Sequence, residues 1–119
     1  PTPRGFYSQG VRADDMVYIS GQLPLDHDGK LVGTSPEEQT RHTLSHVVSI
    51  VEAAGGNLCD LVQVTIYITD IEHWPAINTV YKEILGGVSV PPARAVVPVK
   101  ELHYGALVEI QATAYIPKY

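Results

Sequence analysis

The sequence predicts an α+β domain in which two amphipathic helices pack on one face of a single β-sheet. Apolar and polar residues alternate over 61–69 and 107–116, which is the period of β-strands. Apolar residues recur at helical spacing over 35–54 and 74–85, and a glycine pair follows each segment, as is typical of helix ends. The element order is strand, strand, helix, strand, helix, strand, strand, without repeat or linker. This order fits one sheet with one helical layer, and the length predicts a single domain over 1–119.

The two N-terminal strands are predicted over 5–12 and 16–20, as a hairpin joined by a turn at 13–15. Gly21 follows the second strand directly. A glycine in this place is either a bulge or bend, or a point at which a backbone N–H approaches another group closely. Residues 26–30 contain Asp-Gly and predict a turn.

The first helix has a complete start signal. Ser35 is expected to be the N-cap, Pro36 the first helical residue and Glu38 the reciprocal partner in a capping box. The helix is expected to run to about Ala54 and to end at Gly55. Its predicted apolar stripe consists of Thr40, Leu44, Val47, Val48, Val51 and Ala54.

Two histidines, His42 and His46, lie four residues apart on the opposite side of this helix. That spacing can hold zinc, but the sequence suggests no third ligand nearby. We therefore favour a solvated helix face, and no metal site is predicted.

The second helix is predicted from about Trp74 to Leu85. Asn78 lies in its middle, where asparagine is not intrinsically favoured. Its side chain is therefore either simply exposed or hydrogen-bonded inward. The predicted buried side consists of Ile77, Val80, Tyr81, Ile84 and Leu85.

An arginine stands just after a proline turn, at the start of a predicted strand. Pro91 and Pro92 fix φ and lack backbone donors, and the β-branched Val96 and Val97 then predict a strand. Arg94 lies among small and apolar neighbours, where a cation is costly to bury without an anionic partner. It is either part of an internal ion pair, a solvent-facing edge residue, or a fork that binds a carboxylate bidentately.

The last strand directs Glu109 away from the main apolar layer. The sheet face to which Glu109 belongs is too mixed for a core, and too rich in Thr and aromatic residues for an ordinary wet surface. We expect a subunit interface there, and a closed ring such as a trimer would create clefts between subunits. The residues of this face are Gln63, Thr65, Tyr67, Glu109, Gln111, Thr113 and Tyr115.

Composition argues against several classes of partner. The net charge is -5 and the eight Lys and Arg residues are scattered, so no nucleic acid is expected. No run of about 18 apolar residues occurs, so no membrane span is expected. The N-terminus does not have the pattern of a signal peptide. Cys59 is the only cysteine and has no intramolecular disulfide partner, which fits a cytoplasmic protein.

A series of short motifs runs along nearly the whole chain. It comprises Tyr7-Ser8-Gln9-Gly10, Ile19-Ser20-Gly21-Gln22-Leu23-Pro24-Leu25, Glu38-Gln39-Thr40-Arg41, Val51-Glu52-Ala53-Ala54-Gly55-Gly56, Thr69-Asp70, Asn78-Thr79-Val80-Tyr81, Pro91-Pro92-Ala93-Arg94 and Gly105-Ala106-Leu107-Val108-Glu109-Ile110-Gln111-Ala112. In this order, the motifs resemble those of the RidA/YjgF family of imine deaminases. No single motif is decisive, and together they are highly specific.

The resemblance implies a chorismate-mutase-like α+β fold and a homotrimer with active sites between subunits. Members of the family hydrolyse reactive 2-imino acids, or their enamine tautomers, to 2-oxo acids and ammonia. Such intermediates escape from pyridoxal-phosphate enzymes. The expected partner is therefore a small imino or oxo acid, and no cofactor is implied.

Two residues are expected to carry the reaction. By the resemblance, Arg94 grips the substrate carboxylate and Glu109 positions or activates the attacking water. Both roles suit the residue types, because guanidinium binds carboxylate in a fixed plane and a carboxylate accepts a proton from water. A neighbouring arginine lowers the pKa of Glu109 and burial raises it, so the sequence leaves its protonation state open.

Five further residues are expected to bind the substrate. By the resemblance, Tyr7 lines the pocket, Gly21 and Val96 offer backbone N–H groups to the carboxylate, and Asn78 is a helix residue near the cleft. Tyr104 is expected to shape the pocket mouth.

The chain departs from the family pattern at two places. Ala95 and Val96 stand where many members have Ser or Thr followed by Cys, so a thiol is not required by the mechanism. His103 and Tyr104 replace the more usual Pro-Lys. Both changes are expected to affect which substrate side chain the pocket accepts more than they affect the reaction.

The sequence leaves three alternatives open. The first is a catabolic deaminase of the same family, of the 2-aminomuconate type, which would differ in pocket size. The second is a sensor that binds 2-oxo acids through Arg94 without turnover, against which Glu109 argues mildly. The third is an RNA-cleaving translation inhibitor, an activity reported for some relatives, against which the acidic net charge argues.

Overall fold

The computed structural model describes residues 1–118 and confirms the predicted order of helices and strands. None of its helices is long and apolar enough to cross a lipid bilayer within this part of the chain. Short 3-10 turns precede β3, α2 and β5. The elements are β1 (Gly10–Ala13), β2 (Met16–Gln22), α1 (Pro36–Ala53), β3 (Leu61–Ile68), α2 (Trp74–Leu85), β4 (Ala93–Pro98) and β5 (Val108–Tyr115).

The strands form one sheet in the order β1-β2-β5-β3-β4. All neighbours are antiparallel except β3 and β4, which are parallel. A parallel pair needs a crossover connection, and α2 supplies it. Both helices pack on the same sheet face, so the other face is covered by neither of them, as the sequence predicts.

The first helix begins and ends as predicted. The Ser35 hydroxyl accepts the Glu38 N–H at 3.1 Å, and the Glu38 carboxylate accepts the Ser35 N–H at 3.3 Å. At the other end, Gly55 adopts the left-handed region with φ 92°, which terminates the helix without steric cost. Arg12 of the hairpin donates to the Ala54 carbonyl at 2.7 Å, so a cation lies at the negative end of the helix.

The core lies between the sheet and the two helices. The centre of the predicted stripe on α1 is confirmed, since Leu44, Val47 and Val51 are at most 1% exposed. Thr43 and Ile50 are also buried. Val48 and Ala54 of the predicted stripe are only partly buried. The buried face of α1 is therefore displaced from the predicted stripe towards Thr43 and Ile50, and this helix packs against both the sheet and α2.

The first strand is shorter than predicted and begins at Gly10 rather than at residue 5. Residues 5–7 bend instead, and the Tyr7 N–H donates to the Gly5 carbonyl at 3.0 Å. The ladder between β1 and β2 begins at the pair Gly10 and Ile19, and beyond Ile19 the register of β2 with β5 shifts. The segment before Gly10 therefore has no regular partner strand and is free to turn.

The prediction that His42 and His46 lie on a solvated helix face is wrong. Both imidazoles are half-buried, and their Nε2 atoms donate to the Leu25 carbonyl at 3.1 and 2.8 Å respectively. The loop after β2 folds back over α1, which helical periodicity alone does not reveal. Across residues 1–118, no group of three or more His, Cys, Asp or Glu side chains is arranged to hold a metal ion.

We expect Ser35→Ala to lower the free energy of unfolding by about 1 kcal/mol, because the helix loses its N-cap acceptor. Urea denaturation followed by circular dichroism measures this change. Ser49→Ala is the matched control, since Ser49 is exposed inside α1 and alanine is the better helix former. Equal losses in the two variants would show that the capping box does not stabilise the helix.

Candidate active site

Glu109 lies on the face of the sheet that the helices leave uncovered. It belongs to β5 and pairs with Tyr67 of β3, so both side chains point away from the helical layer. Gly21 passes directly beside it, and a Cβ placed on Gly21 would come within 2.6 Å of Glu109 Oε2. The strand register is irregular between Ile19 and Gln22 at this point. Gly21 thus lies at a strand irregularity, as one of the two predicted alternatives has it, and any side chain there would displace the carboxylate.

Glu109 opens into a cavity of about 580 Å³ between the N-terminal segment, the end of β2 and the loop before β5. The cavity brings together four of the predicted site residues with further polar side chains. Its lining includes Glu109, Gly21, Tyr7, Tyr104, His103, Gln9, Arg4, His27 and His46.

The electrostatic environment favours proton transfer at Glu109. Burial raises the pKa of the Glu109 carboxyl above its usual range, and the nearby His103 opposes this effect. A carboxyl group shifted in this direction is a better proton carrier near neutral pH than an exposed glutamate.

The loop at the mouth of the cavity has a constrained backbone. Tyr104 adopts φ 64°, an uncommon conformation for a non-glycine residue, and Gly105 follows at φ 72°. The loop is tied to α1 because the Leu107 N–H donates to the buried Gln39 amide at 2.8 Å. Gln39 in turn donates to the Gly33 carbonyl at 3.2 Å. The sequence alone does not indicate this role of Gln39, although the residue belongs to the family-like motif Glu38-Gln39-Thr40-Arg41.

Arg94 lies elsewhere, on the helical side of the sheet. It belongs to the edge strand β4 and pairs with the buried Val64 of β3. Its Nη1 donates to Asn78 Oδ1 at 3.1 Å, and its Cζ is 4.8 Å from the Trp74 ring centroid and 5.0 Å from that of Tyr81.

These contacts decide between the interpretations of Arg94 and Asn78. No carboxylate among residues 1–118 forms a salt bridge with Arg94, so the interpretation of Arg94 as part of an internal ion pair is wrong. Arg94 is instead an exposed edge arginine whose guanidinium is held by uncharged groups. Asn78 uses its side chain for this hydrogen bond rather than being simply exposed. The sequence analysis did not identify Trp74 and Tyr81 as neighbours of Arg94. Their positions share one helical face with Asn78, which is the signal that could have indicated them.

Val96 follows Arg94 on the same side of β4 and packs partly against the core. It does not line the cavity around Glu109. The predicted site residues therefore fall into two clusters. The Arg94 cluster comprises Arg94, Asn78 and Val96, and the Glu109 cluster comprises Glu109, Gly21, Tyr7 and Tyr104.

The two clusters lie on opposite faces of the sheet within one chain. The Arg94 cluster offers guanidinium N–H groups that suit a carboxylate. The Glu109 cluster offers a partly buried carboxyl group in a cavity. One copy of the chain does not bring these two functions into one pocket.

Comparison with known proteins identifies close relatives of the whole chain. The family model described as endoribonuclease L-PSP matches residues 1–116. A RutC family protein of Pyrococcus horikoshii is 40% identical over 116 residues, covering 97% of this chain and 90% of the relative. The crystal structure of RidA from an Antarctic Psychrobacter has a TM-score of 0.91 at 37% identity, covering 98% and 93% of the two chains. E. coli TdcF, solved with bound serine, has a TM-score of 0.91 at 35% identity, covering 97% and 91%.

We expect Glu109→Gln to change how folding stability depends on pH. Burial raises the folded pKa of Glu109 above its ordinary value of 4.5, so the folded state binds more protons than the unfolded state between those two values. The contribution of Glu109 to stability is thus fully present below the ordinary value and falls as pH rises through this window.

Urea denaturation midpoints of the native protein and Glu109→Gln, measured in parallel from about pH 4 to pH 7, test this expectation. The midpoint of the variant minus that of the native protein should increase with pH. A difference that stays constant or decreases would contradict a raised pKa at Glu109.

Proposed function

Since the chain belongs to the RidA/YjgF family, whose family model is described as endoribonuclease L-PSP, we propose that it hydrolyses reactive 2-imino acids to 2-oxo acids and ammonia. The proposal includes enamine tautomers of the same substrates. The enzyme acts as a cytoplasmic homotrimer with active sites between subunits. The single cysteine, Cys59, fits the reducing compartment.

The arrangement of Arg94 is the observation that carries this proposal. Its guanidinium is oriented by Asn78 and two aromatic rings, and no carboxylate of residues 1–118 neutralises it. An oriented and unpaired guanidinium is a receptor for a carboxylate from outside the chain. The solved structure of TdcF holds serine, a small molecule with a carboxylate, which supports a ligand of this class.

Glu109 supplies the proton transfers that the reaction needs. Water attacks C2 of the imine, a C–O bond forms, and the C=N electron pair moves to nitrogen. The carbinolamine then releases ammonia as the C–N bond breaks and the C=O bond forms. Over both steps two protons pass from the water oxygen to nitrogen, and a carboxyl group with a raised pKa can carry each of them.

The placement of the two clusters supports active sites between subunits. Arg94 and Glu109 lie on opposite faces of one sheet, an arrangement that favours a pocket in which the two residues come from different chains. The uncovered sheet face, with Tyr18 and Tyr115 about half exposed, is the surface on which subunits associate. A closed ring repeats this contact in every subunit and completes each site.

RNA cleavage is a second candidate, because the matching family model is described as an endoribonuclease. The net charge of -5 argues against it, since RNA binding depends on concentrated positive charge. Labelled RNA can be incubated at low salt with a protein preparation that hydrolyses imines. RNA that stays intact would rule out RNA cleavage as the function. Cleavage that persists in Glu109→Gln and copurifies with the protein would support it.

We expect the protein to lower semicarbazone formation when an amino-acid oxidase generates 2-iminobutanoate or 2-iminopropanoate in the presence of semicarbazide. Arg94→Ala and Glu109→Gln should each abolish this effect, the first by losing the carboxylate anchor and the second by losing the proton carrier. Arg41→Ala is the matched control, because Arg41 forms an exposed ion pair with Glu83.

A protein that binds 2-oxo acids but leaves semicarbazone formation unchanged would instead be a sensor. Turnover restricted to bulky unsaturated substrates would favour the catabolic deaminase. Absence of both binding and turnover, in a folded protein, would overturn the proposal.

We expect a mixture of Arg94→Ala and Glu109→Gln chains to regain activity after unfolding and refolding together. If each site takes its two catalytic residues from different chains, about one quarter of randomly assembled sites carry both native residues. The imine-trapping assay should then show about one quarter of the native activity. Separately refolded variants serve as controls, and a mixture as inactive as they are would place both residues in one chain's site.

A further inference from the structure

One helical face of α2 surrounds the guanidinium of Arg94. Trp74, Asn78 and Tyr81 stand at positions i, i+4 and i+7, which align on an α-helix. The ring centroids of Trp74 and Tyr81 lie 4.8 and 5.0 Å from Arg94 Cζ, within the range of cation–π attraction. The Asn78 oxygen accepts one N–H at 3.1 Å.

The surrounding groups orient the cation without neutralising it. Aromatic faces and an amide oxygen carry no net charge, so Arg94 keeps its full positive charge. Asn78 is the single hydrogen-bond acceptor of the guanidinium within residues 1–118, and the remaining N–H donors are available to a ligand. A carboxylate in the place of Asn78 would instead pair with the arginine and compete with any anionic ligand.

We propose that Trp74 and Tyr81 are positioning residues that hold Arg94 in the plane in which it receives the substrate carboxylate. The proposal rests on the proposed function and adds to it the residues that determine carboxylate affinity. This positioning role predicts that the aromatic rings of Trp74 and Tyr81, and not their polar groups, are needed for tight binding of the carboxylate.

The Tyr81 side chain supports this distinction. It is 6% exposed, and its hydroxyl is buried without a hydrogen-bond partner in the described structure. The phenolic hydroxyl therefore contributes no hydrogen bond that holds Arg94. Removal of an unsatisfied buried hydroxyl costs little stability, so Tyr81→Phe should fold and should keep the ring against the guanidinium.

Trp74 also supplies a direct readout, because it is the only tryptophan of the chain. A carboxylate that binds Arg94 changes the charge within a few ångströms of the indole. Titration of the native protein with 2-oxobutanoate, and with the transparent carboxylate propanoate, should therefore change tryptophan emission. Arg94→Ala should show no change, and free N-acetyltryptophanamide corrects for absorption by the ligand.

Ring-deleting and ring-keeping variants test the positioning role in the imine-trapping assay. Trp74→Leu and Tyr81→Leu should raise KM about five- to thirtyfold with kcat changed by about threefold or less, which is the effect of losing one cation–π contact. Trp74→Phe and Tyr81→Phe should stay within about threefold of the native KM. Asn78→Asp, which is nearly isosteric, should raise KM at least as much as Trp74→Leu while the thermal midpoint is maintained.

The outcomes separate this inference from the proposed function. If the native protein neither binds a 2-oxo acid nor hydrolyses an imine, the proposed function fails. If it does both, and Arg94→Ala loses both while the leucine variants keep a native KM, the positioning role is overturned. If the leucine variants do not fold, the emission titration and Asn78→Asp decide, and ligand binding by calorimetry without any emission change overturns the inference.

Discussion

The alternation of side chains across a single sheet is the constraint on which the rest of this structure depends. Neighbouring residues of a strand point to opposite faces, and both helices cover the same face. Every strand residue must therefore belong either to the helical layer or to the uncovered surface. Arg94 pairs with Val64 on the helical side, and Glu109 pairs with Tyr67 on the other side. The two pairings of β3, with β4 and with β5, thus contribute to the core and also place the two halves of the candidate site on different faces.

Each half of the site is held in position by a different physical means. The position of Glu109 depends on the backbone around it. Only a glycine at position 21 leaves room for its carboxylate, and a constrained turn at Tyr104 borders its cavity. Arg94 depends on side chains, because one face of α2 presents two rings and an amide to its guanidinium. Both halves are therefore held in position by contacts within the chain itself.

The sequence predicts most of the fold because its local signals agree with the tertiary arrangement. The capping box at Ser35, the glycine at position 55 and the alternation in β3 and β5 each describe a local element that the structure contains. The sequence-based predictions fail where contacts with a distant segment determine the local structure. The bend before Gly10 depends on where β2 leaves its partner, and the contacts of His42 depend on a loop that folds back from β2.

For the candidate site, the sequence by itself placed the two candidate residues: an arginine after a proline turn, and a glutamate on the polar face of a regular strand. Residue type and period suffice to place these two side chains, since charge and strand alternation are local properties, whereas their expected roles come from the family resemblance. Only the tertiary structure decided what surrounds them. The rings of Trp74 and Tyr81 meet Arg94 because α2 crosses from β3 to the parallel strand β4. Gly21 meets Glu109 because β2 pairs with β5 through an irregular register. These neighbours are distant in sequence, and no local pattern encodes the packing that joins them.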